Sequence, residues 1–216
     1  MSKSIYSLVL NDQLVSMLDK VAYKKGMSRS NLINTIIADY LSYETPEKRI
    51  AYVFKHVENL VAESQSLKFM PQPSASLASI CSAISFRYNP TVRYSIELFS
   101  NTDEEVGELK VYLRSTNVQL LMALNNFFVI FCGLEEKYLS KADSKIVEGK
   151  FIRPLSLPQN VTLNNTELGD AIVDYIKNMD KLLNLYFSQL NAGDIDYAYL
   201  EKEYVRGLKK QSVIFV

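Results

Sequence analysis

The sequence predicts a mainly α chain with a smaller antiparallel β part, an α+β class. A short strand–helix–helix module precedes a helical linker and an α+β C-terminal domain. Apolar residues recur at helical spacing over most of the chain, whereas Thr91–Phe99 and Glu108–Arg114 alternate with period two. The opening run Ile5-Tyr6-Ser7-Leu8-Val9-Leu10 is rich in β-branched and aromatic types. With 216 residues and roughly 150 per domain, two domains are expected. The boundaries that follow are 1–44 for the module, 45–70 for a linker helix and 71–216 for the C-terminal domain.

Composition excludes several function classes. Hydrophobic residues make up 48% and charged residues 22%, which speaks against extensive disorder. The 24 Lys and Arg balance 24 Asp and Glu, so no broad basic surface coats nucleic acid indiscriminately, and any such binding must be local. The N-terminus lacks the apolar run and cleavage site of a secretory signal, from which a cytoplasmic location is expected. The most apolar window, Val118–Leu134, is broken by Gln119, Asn125 and Asn126 and falls short of the roughly 20 apolar residues of a spanning helix. It reads as a buried core helix, with no membrane partner. Cys81 and Cys132 sit apart in apolar runs without a CxxC motif, and read as buried thiols rather than a metal site or disulfide. Asn160 and Asn164 begin glycosylation sequons that, in the cytoplasm, are simply loop residues.

Within the first module, strand Lys3–Leu10 would put Tyr6, Leu8 and Leu10 on one face and Ile5, Ser7 and Val9 on the other. Asn11 and Asp12 supply an N-cap for a helix whose stripe is Leu14, Met17, Leu18 and Val21, ending at Gly26. Ser28 caps a second helix with the stripe Leu32, Ile33, Ile36, Ile37, Tyr40 and Leu41, which Thr45-Pro46 ends. A six-residue strand and two short helices cannot bury their own apolar faces. Pairing the strands of two chains into an antiparallel ribbon completes the core.

The run Ser-Leu-Val-Leu-Asn-Asp-Gln-Leu…Leu-Asp-Lys-Val-Ala…Lys-Gly-Met-Ser-Arg-Ser-Asn-Leu-Ile…Ile-Ile…Tyr-Leu, residues 3 to about 43, resembles the Arc/CopG-like ribbon-helix-helix DNA-binding family. The resemblance implies two intertwined chains whose paired strands enter the major groove of double-stranded DNA. It implies that Ile5, Ser7 and Val9 face the groove, that the amides of Ser28, Arg29 and Ser30 hold a phosphate, and that Lys3, Lys24, Lys25 and Arg29 serve other phosphates. Family members carry polar or basic groove-facing residues. Ile5 and Val9 depart from that pattern, so nothing here reads guanine bidentately. Asp12, Asp19, Asp39 and Glu44 nearly cancel the module's basic charge. The opposite register, with Ser4, Tyr6 and Leu8 toward the groove, would strand Leu8 in solvent and is rejected.

Thr45 and Pro46 start the linker helix, whose stripe Ile50, Val53, Val57, Leu60, Ser64 and Leu67 either extends the dimer as a short coiled coil or packs on the chain's own second domain. His56 beside it is expected to be a surface or core residue. Met70-Pro-Gln-Pro-Ser ends the helix. Ile80–Tyr88 is ambiguous, whereas Thr91–Phe99 and Glu108–Arg114 form an antiparallel hairpin with Arg93, Ser95 and Glu97 on its wet face. A helix follows over Asn117–Leu139, in which Phe127, Phe128 and Phe131 read as packed core. Residues 151–158 read as a loop or edge strand, because Pro154 and Pro158 exclude a central position. Helices over Glu167–Leu190 and Asp196–Lys210 close the chain.

Motifs for catalysis are absent: no P-loop, GxGxxG, GxSxG or HExxH occurs, and one histidine supports neither a triad nor a histidine-rich metal site. Asp194 and Asp196 read as helix-capping residues rather than cation ligands, and Glu104-Glu105 and Glu135-Glu136 as solvated charges. Arg87, Arg93 and Arg114 line an ordinary polar sheet face, or bind an anion or nucleic acid there. Neither an enzyme, a cofactor nor a metal is expected. The expected function is a dimeric DNA-binding transcriptional regulator, forming higher oligomers on DNA if several dimers bind side by side. Its C-terminal domain would serve oligomerisation or take a protein partner or small effector. The alternative is a protein-interaction adaptor, antitoxin-like or a plasmid-partition or relaxosome accessory, that uses the module mainly to dimerise.

Overall fold

The structure, a computed structural model, describes residues 6–72, 74–100, 105–139 and 142–216. The chain divides into two compact units, Met1–Arg49 and Ile50–Val216.

The first unit contains α1 (Asp12–Lys24) and α2 (Arg29–Tyr40). The Asn11 side chain accepts from the Gln13 amide at 2.8 Å and the Ser28 hydroxyl from the Asn31 amide at 3.2 Å, so both expected caps form. Gly26 takes a left-handed φ of +63°, and the Met27 amide turns back onto the Ala22 carbonyl at 3.0 Å, which closes α1. The second helix stops earlier than Thr45-Pro46 would require. Ser42 turns left-handed at φ +52°, and the Tyr43 amide caps the Ala38 carbonyl at 2.8 Å. Leu18, Ala22 and Leu32 form a small core, with Leu10, Met27 and Ile33 packed at its edge.

Helix α3 (Pro46–Ala62) starts with the Thr45 hydroxyl accepting from the Lys48 amide. Of the two uses expected for its stripe, the second holds: Ile50, Val53, Phe54, Val57 and Val61 are buried in the second unit's own core. The helix ends at Ala62 instead of reaching Leu67. Leu67–Pro71 is instead an edge strand, β1, because Leu67 and Phe69 alternate inward opposite Ser82 and Ile80 of β2 (Leu77–Ala83). Strands β3 (Thr91–Leu98) and β4 (Glu105–Leu113) pair as the expected hairpin, with Tyr94 opposite Val111 and Ile96 opposite Leu109. With β5 (Lys145–Val147) and β6 (Lys150–Ser156) they form one antiparallel sheet in the order β1-β2-β3-β4-β6-β5.

The position of β6 corrects the reading of residues 151–158. Pairing with β4 on one side and β5 on the other makes it internal, despite Pro154. Proline is tolerated because β5 pairs only with residues 150–152, which leaves the β5 side of the strand free at Pro154.

One sheet face carries Val92, Tyr94, Ile96, Leu109, Val111 and Phe151 into the core against α4 (Val118–Tyr138) and α5 (Asn165–Ala192); α6 (Tyr197–Leu208) packs on α5. Phe127, Phe128 and Phe131 of α4 meet Tyr186, Phe151 and Tyr204 with ring centroids 5.6 Å apart, the packed core that their spacing predicts. By length and composition α4 is the one described helix able to cross a membrane. It is buried on one side only, with Met122 and Val129 on the other exposed, so the buried core helix expected here is half right. The opposite sheet face, with Arg93, Ser95 and Glu97, is half-exposed.

A buried ion pair crosses this core. Arg153 and Glu135 are each 0% exposed, with Arg153 Nε donating to Glu135 Oε1 at 3.0 Å. The Tyr175 hydroxyl donates to the same oxygen at 2.9 Å, and Arg153 Nη2 donates to the Phe215 carbonyl at 3.0 Å. Burial pushes the Tyr175 hydroxyl well above its ordinary range, and the adjacent Glu135 adds to it. Burial opposes the Arg153 charge, but Tyr175 and Glu135 outweigh it and the guanidinium stays charged. Glu135 is therefore no solvated charge. It falls one helical repeat beyond Phe128 and Phe131, on the face that α4 turns inward.

Candidate nucleic-acid interface

The residues expected to touch DNA belong to the first unit, and the structure places them unequally. Lys3 and Ile5 lie outside the described residues. Ser7 and Val9 are exposed, as groove-facing residues would be, but Tyr6–Leu10 form no strand within one chain. A strand exists only where a neighbour completes its ladder of amides and carbonyls, and no described segment of this chain pairs with these five residues.

Ser28, Arg29 and Ser30 do open α2, all exposed, so the amides of its first turn face solvent at the positive end of a helix dipole. Arg29 is engaged elsewhere. Its Nε and Nη2 each donate at 2.6 Å to the two carboxylate oxygens of Asp19 on α1, a bidentate clamp between the helices. The hydrogen bond from Arg29 holds the Asp19 carboxyl below its usual range against the opposing effect of burial, with the Arg29 charge a lesser help. Asp39 takes the Lys48 ammonium through one carboxylate oxygen, between α2 and the start of α3. Lys24 and Lys25, at the end of α1, are exposed and make no ion pair with any described residue. The unit thus places Lys24, Lys25 and an open helix N-terminus on its surface, while its one arginine in the hinge is already paired. The clamp follows from spacing: Asp19 sits one turn before the end of α1 and Arg29 is the first residue of α2.

Much of the unit's apolar surface, which two short helices were expected not to bury by themselves, is exposed. Of the stripe residues expected in α1, only Leu18 is buried; Leu14, Met17 and Val21 are exposed, Met17 to 65%. Ile36, Ile37, Tyr40 and Leu41 of α2 are exposed as well, and Tyr6 and Leu8 stand out at 83% and 63%.

The other candidates belong to the second unit. Of Arg87, Arg93 and Arg114, only Arg114 lines the open groove of about 880 Å³ beside β4 and β5, where Lys110 is held by Glu108 at 2.6 Å. The three arginines form no shared site there. His56 is half-buried, its Nε2 2.9 Å from Asp170 Oδ1 on α5, which ties α3 to α5. Cys81 and Cys132 are free and half-buried rather than fully buried, and burial pushes the Cys132 thiol up. The Asp196 carboxylate accepts from the Tyr199 amide at 2.9 Å and caps α6. Asn164 is no plain loop residue, since with Glu167 it forms the capping box of α5. No family model, no curated protein and no solved structure matches the chain.

Proposed function

We propose that the chain is a dimeric, ribbon-helix-helix-like DNA-binding protein acting as a transcriptional regulator, in which residues 3–10 of two copies pair into a β-ribbon that enters the major groove. One observation carries the reading: Tyr6, Leu8, Leu14, Met17, Val21, Ile36 and Ile37 are exposed on a unit of fewer than fifty residues whose own core is three side chains. Apolar patches of this kind mark association sites, and a second copy offers the same apolar groups plus the ladder that Tyr6–Leu10 lack. The exposed first turn of α2, with Ser28 and Ser30, supplies amides for a backbone phosphate.

Two measurements test it. Sedimentation of the full chain should give a dimer, and titration with DNA from upstream of its own coding region should weaken as salt rises. The slope of log K against log salt changes by about −0.9 for each phosphate contact. A monomer, or salt-independent affinity, overturns the proposal.

A second reading, a protein-interaction adaptor that uses the module only to dimerise, is favoured by the apolar Val9 at a groove-facing position and by the Asp19 clamp on Arg29. Replacing Ser7 and Arg29 together by alanine separates the two. Lost DNA binding with the dimer intact supports the regulator; no effect supports the adaptor.

A further inference from the structure

The second unit carries a pocket that the reading of the N-terminal module leaves unused. Between the middle of α5 and the end of α6, Lys177, Lys181, Arg206 and Lys210 line a cavity of about 210 Å³. Two carboxylates oppose these four cations. Glu203, itself buried, takes Lys181 and, at 3.4 Å, Arg206. Asp174 lines the cavity itself, leaving two positive charges in excess. The excess is shared between the Glu203 group and this end of the cavity, where Lys177, close enough to feel the Asp174 charge, and Lys210 make no ion pair with any described residue and can move onto a ligand.

Hydrogen bonding points the same way. Asn178 is only 8% exposed and lines this cavity, yet its side-chain oxygen has no hydrogen-bond partner among the described residues. The Gln211 side-chain nitrogen, also lining the cavity, is buried and unpartnered too. Buried amides normally find partners. The backbone is shaped around the first of them: a Cβ at Gly207 would fall 1.7 Å from the Asn178 oxygen, so only glycine lets α6 come this close. A carboxamide offers either its oxygen or its nitrogen after a half-turn, so Asn178 can accept from one ligand group or donate to another. The volume corresponds to about seven waters at their liquid density, room for one phosphate and a few further atoms and far too little for a duplex.

We propose that this α5–α6 cavity binds the phosphate group of a small phosphorylated ligand, with Lys177 and Lys210 supplying charge and Asn178 and Gln211 supplying hydrogen bonds. A phosphate carries two negative charges near neutral pH and accepts several hydrogen bonds, which matches two excess positive charges beside two unused amides. A small amine or hydroxyl on the same ligand would satisfy the Asn178 oxygen.

Titration of the full chain with inorganic phosphate, and then with phosphoethanolamine, followed in ¹H–¹⁵N spectra, tests the proposal. The expected result is a saturable shift of the Gly207 amide and of the Asn178 and Gln211 side-chain signals, stronger with phosphoethanolamine. Both lysines are exposed, so Lys177→Ala with Lys210→Ala leaves the fold intact by circular dichroism and weakens binding about tenfold, the sum of two modest surface charge contacts. Asp174→Asn, which removes a repelling carboxylate, should tighten it about threefold. Shifts spread over all surface lysines, without saturation and unchanged by these variants, would mean an adventitious ion only and overturn the proposal. So would displacement of phosphate from these signals by a short DNA duplex, which would make the cavity part of a DNA-binding surface. Neither outcome depends on whether the first unit binds DNA.

Discussion

The two units differ most in what they bury. The second closes over a core that includes a fully enclosed arginine–glutamate pair, whereas the first buries four apolar side chains, Leu18, Ala22, Leu32 and Ala38, and leaves a larger number in water. A unit of the first kind is stable only if something else covers its apolar surface, since below about forty to sixty residues a chain buries too small a fraction of itself. A unit of the second kind is self-sufficient, and its weak point is polar. Stability in the first unit should therefore depend on protein concentration, and in the second on the integrity of a few buried groups.

The largest test of that contrast is Arg153→Ala. It removes the ion-pair partner of the buried Glu135 and leaves it only the Tyr175 hydroxyl, and should cost about 3–5 kcal/mol in the second unit, read by urea unfolding; joint replacement of Arg153 by Met and Glu135 by Leu should recover most of the loss. Next is Leu32→Ala in the first unit, expected to cost about 2–3 kcal/mol and to unfold α1 and α2 without moving the transition of the second unit, as followed by residue-resolved hydrogen exchange. Smaller again is Met17→Asp. Met17 is 65% exposed and not a member of the first unit's small core, so the helices should persist, while the dimer constant weakens at least about tenfold in sedimentation equilibrium if a second copy covers this face.

The smallest effect concerns the Asp19–Arg29 clamp. Asp19→Asn should release Arg29 and steepen the salt dependence of DNA binding. It should destabilise α1 and α2 slightly at neutral pH, by circular dichroism. The Asp19 carboxyl is held below its ordinary range by Arg29, so the unfolded chain takes up this proton first as pH falls. The clamp's contribution is thus present above the unfolded carboxylate range and is lost as pH falls through the lowered value, where wild type and variant should converge.

Regular elements were legible wherever one period dominated. Caps at Asn11, Ser28, Thr45 and Asp196 sit where their residue types placed them, because capping is a local bond between a side chain and an amide two or three residues on. The β3–β4 hairpin was legible for the same reason, its alternation being a property of adjacent residues. Leu67–Pro71 was not, because a heptad stripe and a short alternating run share the same leucine. The α5–α6 cavity was invisible for a different reason. Its lysines look like solvated helix faces, and nothing in the sequence says that Gly207 brings α6 onto Asn178, although a glycine inside an otherwise helical pattern was the one available signal.

By itself the sequence determined the α+β class, most helix starts and which residues are apolar, since propensity, capping and periodicity act between near neighbours. Only the tertiary structure decided what those residues meet: that Arg153 passes through the core to Glu135, that Pro154 lies in an internal strand, that Arg29 spends its guanidinium on Asp19, and that most of the first unit's stripe is exposed. The two ion pairs join residues ten and eighteen positions apart and Pro154 lies opposite Glu108, and no local preference encodes such contacts.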